Sequence, residues 1–231
     1  MKKTIIISLA FLLITGCEKT TVTSRAANSS SIERTIQRAK EGVISANDSI
    51  SILLGLSLTE NNNYNKLKID SLVLPSGKYF TILLEYPNPV NNKLGIYNDS
   101  LKTLLLDKSL YGELSENIVT INGNKYIKLN EGFSVKDVFE LSRLSLYEIK
   151  NGKANLIFRT FTRLKEPEAE YTQVINEFSN EQIITKININ KKDFTADADI
   201  FKRDSTSNSY ISKQNFFTDF VKHEIRNLPQ I

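Results

Sequence analysis

The sequence predicts a mainly β fold, either an antiparallel sheet or a β-sandwich built from hairpins, with an N-terminal and a C-terminal amphipathic helix. Short apolar runs that alternate with polar residues recur through most of the chain, as expected of strands with one buried face. Two Asn-Gly pairs, Asn122-Gly123 and Asn151-Gly152, lie between such runs. Both pairs are typical of type I′ hairpin turns, because Asn and Gly tolerate the positive φ that each turn position requires.

The first seventeen residues, here called the leader, differ in composition from the rest of the chain. Lys2 and Lys3 precede an apolar run from Ile5 to Ile14, which ends at Thr15-Gly16-Cys17. This run is far shorter than the ~20 apolar residues that cross a bilayer as a helix. A cationic start, a short apolar centre and a small-residue exit instead predict a cleaved export peptide over residues 1–16.

Residues Ile14-Thr15-Gly16-Cys17 resemble the lipobox of bacterial lipoproteins, in which an aliphatic residue and two small residues precede a cysteine. The resemblance implies that Cys17 becomes the mature N-terminus and carries a diacylglyceryl thioether and an amide-linked acyl chain such as palmitate. Two or more chains hold a protein on a membrane durably, since each buried methylene contributes about 0.8 kcal/mol. The alternative is an ordinary secretory peptide, which would leave the chain's only cysteine as an unpaired thiol.

The same resemblance bears on location. In enterobacterial lipoproteins, an aspartate directly after the acylated cysteine resembles a mark for retention at the inner membrane. This chain has Glu18 at that position, so the outer membrane is the favoured location. The periplasmic or surface face stays open, because Glu18 stands alone before Lys19 and is not part of an acidic cluster. The body resembles uncharacterised envelope lipoproteins of the Bacteroidota type, especially in the stretch 94–102 and in the aromatic C-terminal helix.

Three elements follow the leader. Residues 17–31 are small and polar without apolar periodicity, which predicts a flexible tether. Apolar residues at helical spacing, such as Ile32 and Ile36, predict a helix from about Ser31 to Ala46. Alternation between Ile50 and Leu58 then predicts a strand.

The remaining body, part of a single β-rich domain over residues 32–231, is predicted to consist mainly of strands. Four of them are Leu72–Leu74, Tyr79–Tyr86, Leu94–Asn98 and Leu101–Leu106. The Asn-Gly turns join Ile118–Ile121 to Lys125–Leu129 and Leu144–Ile149 to Ala154–Phe161. A third hairpin is predicted between Tyr171–Phe178 and Ile183–Ile189, with Ile183, Ile187 and Ile189 on one face.

The last predicted element is the C-terminal helix, with Ser212 as its N-cap. Its apolar stripe consists of Phe216, Phe217, Phe220, Val221, Ile225 and Leu228. Polar residues lie opposite this stripe, so we expect the helix to dock on the sheet.

The composition excludes several kinds of chemistry. The chain has one histidine, His223, and no thiol after acylation of Cys17, so a Cys-His pair is impossible and a zinc site rich in His and Cys has too few ligands. A serine triad would have to use His223, but no Gly-x-Ser-x-Gly motif is present, which favours a surface histidine. Phosphate-binding glycine motifs are also missing, and we expect no cofactor.

Carboxylates are the remaining candidates for chemistry. Asp197 and Asp199 lie two residues apart in Ala196-Asp197-Ala198-Asp199-Ile200, so in a strand both would point to one face. They are weak candidates for a hard cation or for an acid/base pair. Ala196, Ala198 and Ile200 would then pack inward, and the alternative is that the two aspartates simply form a solvated strand face.

Four Asp-Ser pairs suggest a modification. The serines are Ser49, Ser71, Ser100 and Ser205, each preceded by Asp and followed by an aliphatic residue or Thr. This pattern resembles the acceptor motif of the general O-glycosylation system of Bacteroidota envelope proteins. The alternative is that Asp-Ser begins strands and caps turns.

These observations predict a membrane-anchored envelope lipoprotein with a non-enzymatic binding or structural role and an envelope protein or glycan as partner. The alternative is a carboxylate-based envelope hydrolase such as a glycosidase. Nucleic acid is not an expected partner, because the formal net charge is only +4 and cationic and acidic residues are interspersed.

Overall fold

The computed structural model describes residues 34–38, 41, 49, 64–189 and 197–225. Over these residues the chain forms twelve strands in two antiparallel sheets and a nine-residue α-helix near the C-terminal end. The predicted mainly β class is therefore confirmed.

The strands in chain order are β1 Lys66–Leu74, β2 Gly77–Glu85, β3 Lys93–Asn98, β4 Thr103–Asp107, β5 Glu113–Ile121, β6 Asn124–Val135, β7 Phe139–Lys150, β8 Lys153–Glu166, β9 Ala169–Phe178, β10 Gln182–Asn188, β11 Ala198–Arg203 and β12 Tyr210–Ile211, and the helix, α1, is Phe216–Glu224. The first sheet has the order β1-β2-β3-β4, and the second has the order β12-β11-β10-β9-β8-β7-β6-β5. Within each sheet every strand pairs with its neighbours in sequence, as consecutive hairpins predict, and the chain passes from the first sheet to the second between β4 and β5.

Both Asn-Gly hairpins are confirmed. Asn122 and Gly123 have φ values of 51° and 77°, and the flanking register pairs Ile121 with Asn124. Asn151 and Gly152 have φ values of 54° and 71°. Positive φ at both positions gives the type I′ geometry that matches the twist of paired strands.

The third predicted hairpin, between β9 and β10, is also confirmed. Phe178 pairs with Ile183, and the Ser179 side chain accepts a hydrogen bond from the Gln182 N–H in the connecting turn. Ile183 and Ile187 are buried on one face of β10, and Thr185 lies buried between them. The face predicted from the isoleucines is therefore the inner face of this strand.

The two sheets pack against each other through a shared hydrophobic cluster. The first sheet contributes Leu72, Tyr79, Leu83, Leu94 and Ile96, and the second sheet contributes Leu114, Ile127, Leu129, Tyr147, Ile149 and Ala154. Burial of this much apolar surface joins the sheets without any disulfide.

A buried polar network lies at the same junction. Tyr147 on β7 donates a hydrogen bond to Asp107 at the end of β4, with 2.7 Å between the oxygens, and Arg159 on β8 forms an ion pair with Asp107. The Nε atom of Arg159 also donates to the Ser145 hydroxyl, at 2.8 Å. Asp107, the last residue of the first sheet, therefore bonds to side chains on two strands of the second sheet.

Little of the predicted N-terminal region falls within the described residues. Residues 34–38 are helical, and Ile36 is buried against a cluster on the first sheet that includes Ile82 and Tyr97. The predicted strand from Ile50 to Leu58, the tether and Cys17 lie outside the described residues. Among the residues that are described, no helix is both long and apolar enough to cross a membrane.

Helix α1 docks on the second sheet, as its apolar stripe predicts. Phe217 and Val221 are completely buried, and the Phe220 ring lies 4.9 Å from the Tyr171 ring on β9. The predicted N-cap was wrong, because the N-cap is Asn215, whose side chain accepts the Thr218 N–H at 3.1 Å. Ser212 lies further upstream, where its hydroxyl bonds locally to Gln214.

Candidate functional site

A row of buried polar side chains runs across the second sheet beneath the start of α1. Thr160 on β8, Gln173 on β9, Thr185 on β10 and Asp199 on β11 are each 4% exposed or less. The Gln173 amide donates to Thr160 at 2.9 Å and accepts the Thr185 hydroxyl at 3.0 Å. Thr185 in turn accepts the Asp199 N–H at 3.3 Å. These buried side chains therefore hydrogen-bond to one another along the row, which ends at the Asp199 carboxylate.

Asp199 fixes the start of the helix to the sheet. Its two carboxylate oxygens accept the N–H groups of Phe216 and Phe217, at 2.8 and 3.1 Å. These are N–H groups of the first helical turn, which have no partner within the helix and carry positive partial charge. Burial raises the pKa of Asp199 above its usual value, and the two backbone hydrogen bonds oppose that shift.

The expected orientation of this strand was wrong. Asp199 is completely buried, whereas Ile200, expected to pack inward, is 49% exposed. The inner face is polar here because it meets a helix N-terminus. Asp197 is exposed just before β11, and the described residues contain no group of three or more His, Cys, Asp or Glu that could hold a metal ion.

An incomplete sheet edge lies next to Asp199. Strand β12 pairs with β11 only at Lys202↔Ile211 and Arg203↔Tyr210. Tyr210 anchors this short strand, since its buried ring lies 5.4 Å from Phe178 and its hydroxyl donates to a backbone carbonyl at the β9–β10 turn. After Ile211 the chain leaves the sheet towards α1, so the rest of β11 has no neighbouring strand on this side among the described residues.

The divergence of these segments opens a groove of about 530 Å³, which we call the β11 groove. It is lined by Ala198, Ile200, Lys202, Arg203, Asp204, Ile211, Ser212, Lys213, Gln214 and Phe216. Ile200 and Ile211 expose 49% and 57% of their surface, and Phe216 is half-buried. Such exposed apolar side chains in one concave surface are typical of interaction sites.

The rim of the β11 groove is cationic. Arg203 turns away, because its guanidinium donates to Glu148 at 3.2 Å and to Asn208 at 2.8 Å. Asp204 is held in the following turn, where it accepts the Ser207 N–H and hydroxyl at 2.9 and 2.6 Å. Lys202 and Lys213 are exposed and form no ion pair with another described residue.

A second groove, of about 490 Å³, lies between the β6–β7 and β8–β9 turns. It includes the exposed Val138 and the charged residues Glu140 and Lys165. Lys165 and Arg163 both pair with Glu140 at 3.2 Å, so these two lining charges, Glu140 and Lys165, already have partners. The β11 groove is therefore the stronger candidate.

The other predicted site residues are not brought together. Ser71 lies on β1, and Ser100 and Ser205 lie in turns; these serines and Ser49 are all exposed. His223 is exposed on α1, as expected for a surface histidine. The predicted modification positions are thus accessible but separate.

Comparison with known proteins gives no relative, since no protein-family model, curated protein or solved structure matches the chain. Lys202, Ile211 and Lys213 were not predicted as site residues from the sequence. Their signal in the sequence is weak, because each is a single residue that belongs to no motif. Only the pairing of β11 with β12 brings them together.

Proposed function

We propose that this chain is an outer-membrane lipoprotein, anchored through acylated Cys17, whose β-rich domain binds a partner in the cell envelope. The lipobox-like Ile14-Thr15-Gly16-Cys17 and the single cysteine support the anchor. The observation that carries the binding role is the β11 groove, which combines exposed apolar side chains, a cationic rim and an unfinished sheet edge.

The buried carboxylates named here already have bonding partners within the protein, which also favours a binding role over a hydrolase. Asp107 is held by Arg159 and Tyr147, and Asp199 caps α1. Glu131 forms a two-point ion pair with Arg143. Each of these carboxylates stabilises the fold where it lies, and none lines the β11 groove.

Glu116 supports the hydrolase as a second candidate function. It is only 8% exposed, its Oε2 atom has no hydrogen-bond partner, and burial raises its pKa, as a general acid requires. Asp70, whose charge acts on Glu116, is half-buried and pairs with Lys68 at 2.6 Å. A panel of p-nitrophenyl glycosides tests this alternative: we expect equal background rates for wild type and Glu116→Gln, and glutamate-dependent hydrolysis would favour the enzyme.

We also propose that the N-terminal amphipathic helix extends from about Ser31 to Ala46. Its support is the helical spacing of the apolar residues together with the burial of Ile36. The helix would cover the face of the first sheet opposite the shared core.

Metabolic labelling with an alkyne fatty acid in a Gram-negative host tests the anchor. Wild type should incorporate the label and sediment with outer membranes, and Cys17→Ser should do neither. The matched control is Cys17→Ser with Ser24→Cys, which keeps one thiol in the predicted tether but outside the lipobox. Labelling of this control, or membrane association of Cys17→Ser, would show that the anchor is wrongly assigned.

A further inference from the structure

We propose that the β11 groove binds an extended, acidic segment of a partner protein, which adds a strand to the open part of β11. This inference rests on the proposed binding role and names the chemistry of the partner.

The backbone of β11 is arranged to accept another strand. Arg203 donates its N–H to Glu181 beside β10, whereas Asp204 donates its N–H to Ser209 on the opposite side. Backbone groups alternate between the two sides of a strand, and the pairing with β10 has no register shift. The N–H and C=O of Ile200 therefore point away from β10, beyond the end of β12.

The groove has room for the side chains of such a strand. Successive residues of an added strand would point alternately to the outer face, beside Ile200, and to the inner side, beside Phe216. Ile200 and Ile211 supply exposed apolar surface, and the volume of about 530 Å³ suits several side chains. Main-chain hydrogen bonds would provide affinity, and these contacts would provide selectivity.

The charge of the rim selects an acidic segment. Lys202 and Lys213 line the groove, and Lys186 lies on the same outer face of the sheet, since it pairs with Ala198. The acidic lining residue, Asp204, is already engaged by Ser207. These hydrogen bonds hold Asp204 in its own turn but leave its negative charge, so carboxylates on the partner would meet two lining lysines, Lys202 and Lys213, against one lining carboxylate.

A membrane surface explains these features less well. Lipid could cover Ile200 and Ile211, but it offers no matched hydrogen bonds to the exposed N–H and C=O of a sheet edge. An extended peptide satisfies the edge, the apolar surface and the cations together.

The probe is a fluorescent peptide of about nine residues in which glutamate and valine alternate, long enough to pass the open part of β11. Its binding to the full-length acylated protein in detergent is measured by fluorescence anisotropy. We expect about tenfold tighter binding than for the matched lysine–valine peptide, and a preference that weakens with salt. Lys202→Glu with Lys213→Glu should reverse the preference, and Lys153→Glu, at the β7–β8 turn, should not.

N-methylated probes test the strand addition itself. Methylation of one alternating set of peptide amides should abolish binding, and methylation of the other set should leave it unchanged, because only one set faces β11. Four results would each overturn the proposal. Two concern the peptides: equal effects of the two methylated sets, or no binding of any peptide. The other two are binding of phosphatidylglycerol vesicles in place of the peptides, and a groove-dependent change in oligomeric state. Acylation of Cys17 does not depend on the groove, so the labelling experiment separates failure of the anchor from failure of this inference.

Discussion

Arg143 on β7 and Glu131 on β6 form a two-point ion pair in the interior of the protein. The Nε–Oε1 and Nη2–Oε2 distances are 2.9 and 2.6 Å, and the two residues are 5% and 1% exposed. Glu131 also accepts the Tyr111 N–H at 3.0 Å, and the Arg143 guanidinium lies 4.3 Å from the Tyr111 ring. The pair therefore fixes the connection between β4 and β5, where the chain passes from one sheet to the other.

Removal of one partner of this pair should destabilise the protein strongly. Arg143→Met leaves the Glu131 carboxylate buried without its cation, so we expect a loss of about 3 to 5 kcal/mol in the free energy of unfolding. Urea denaturation followed by circular dichroism provides the measurement. The control is Arg163→Ala, which removes exposed pairs with Glu140 and Glu170 and should cost less than about 1 kcal/mol. Equal losses in the two variants would contradict a structural role for the buried pair.

The contact between Asp199 and α1 should contribute measurably to stability. Asp199→Ala leaves the N–H groups of Phe216 and Phe217 without their carboxylate acceptor, and we expect a cost of about 1.5 to 3 kcal/mol. Hydrogen exchange should locate the loss at α1, whose amides should become less protected. Asp197→Ala, at an exposed position two residues earlier, should change stability by no more than about 0.5 kcal/mol. Unchanged protection of α1 in Asp199→Ala would show that the helix docks through its phenylalanines alone.

The hairpins were predictable because their signals are local. Asn122-Gly123 and Asn151-Gly152 readily adopt the positive φ that a type I′ turn requires, and the register of each hairpin follows from its turn. The faces of β11 were not predictable in this way. Alternation gives a period of two but does not say which set is buried, and here a helix N-terminus some seventeen residues later in the chain draws Asp199 inward and leaves Ile200 outside.

The cap and the groove show the same limit. Ser212 and Asn215 are both suitable N-cap residues, and the choice depends on where Asp199 holds the first turn. Strand β12 has two residues and no periodicity of its own, so its place at the sheet edge depends on Tyr210 reaching the β9–β10 turn. The candidate site is therefore a product of tertiary contacts.

Glu116 on β5 should make stability depend on pH. Burial raises the pKa of Glu116, the Thr81 hydroxyl and the Lys68 ammonium oppose this shift, and the nearby Asp70 charge adds to it. The folded state then holds a proton that the unfolded state releases as pH rises above about 4.3, so stability should fall between that pH and the raised pKa and then level off. The melting temperature measured from pH 4 to 8 should show this fall in wild type, and Glu116→Gln should remove it.

The matched control for Glu116 is Glu113→Gln, which changes an exposed carboxylate at the start of the same strand. It should keep the wild-type pH dependence. A wild-type profile in Glu116→Gln would mean that another group, such as Asp199, governs the dependence.

Ser100 is the best position at which to test O-glycosylation, because the turn around it does not need Asp99. The Asn98 side chain accepts the N–H groups of Ser100 and Lys102, at 3.1 and 2.8 Å, so the structural explanation for an Asp-Ser pair is weak here. At Ser205, by contrast, the preceding Asp204 builds the turn. Intact-mass measurement of protein from the native host should show added glycan mass, and Ser100→Ala should lose one increment. Ser115→Ala, at an exposed serine without a preceding Asp, should lose none. An unmodified wild-type mass would leave the Asp-Ser pairs as turn and strand features alone.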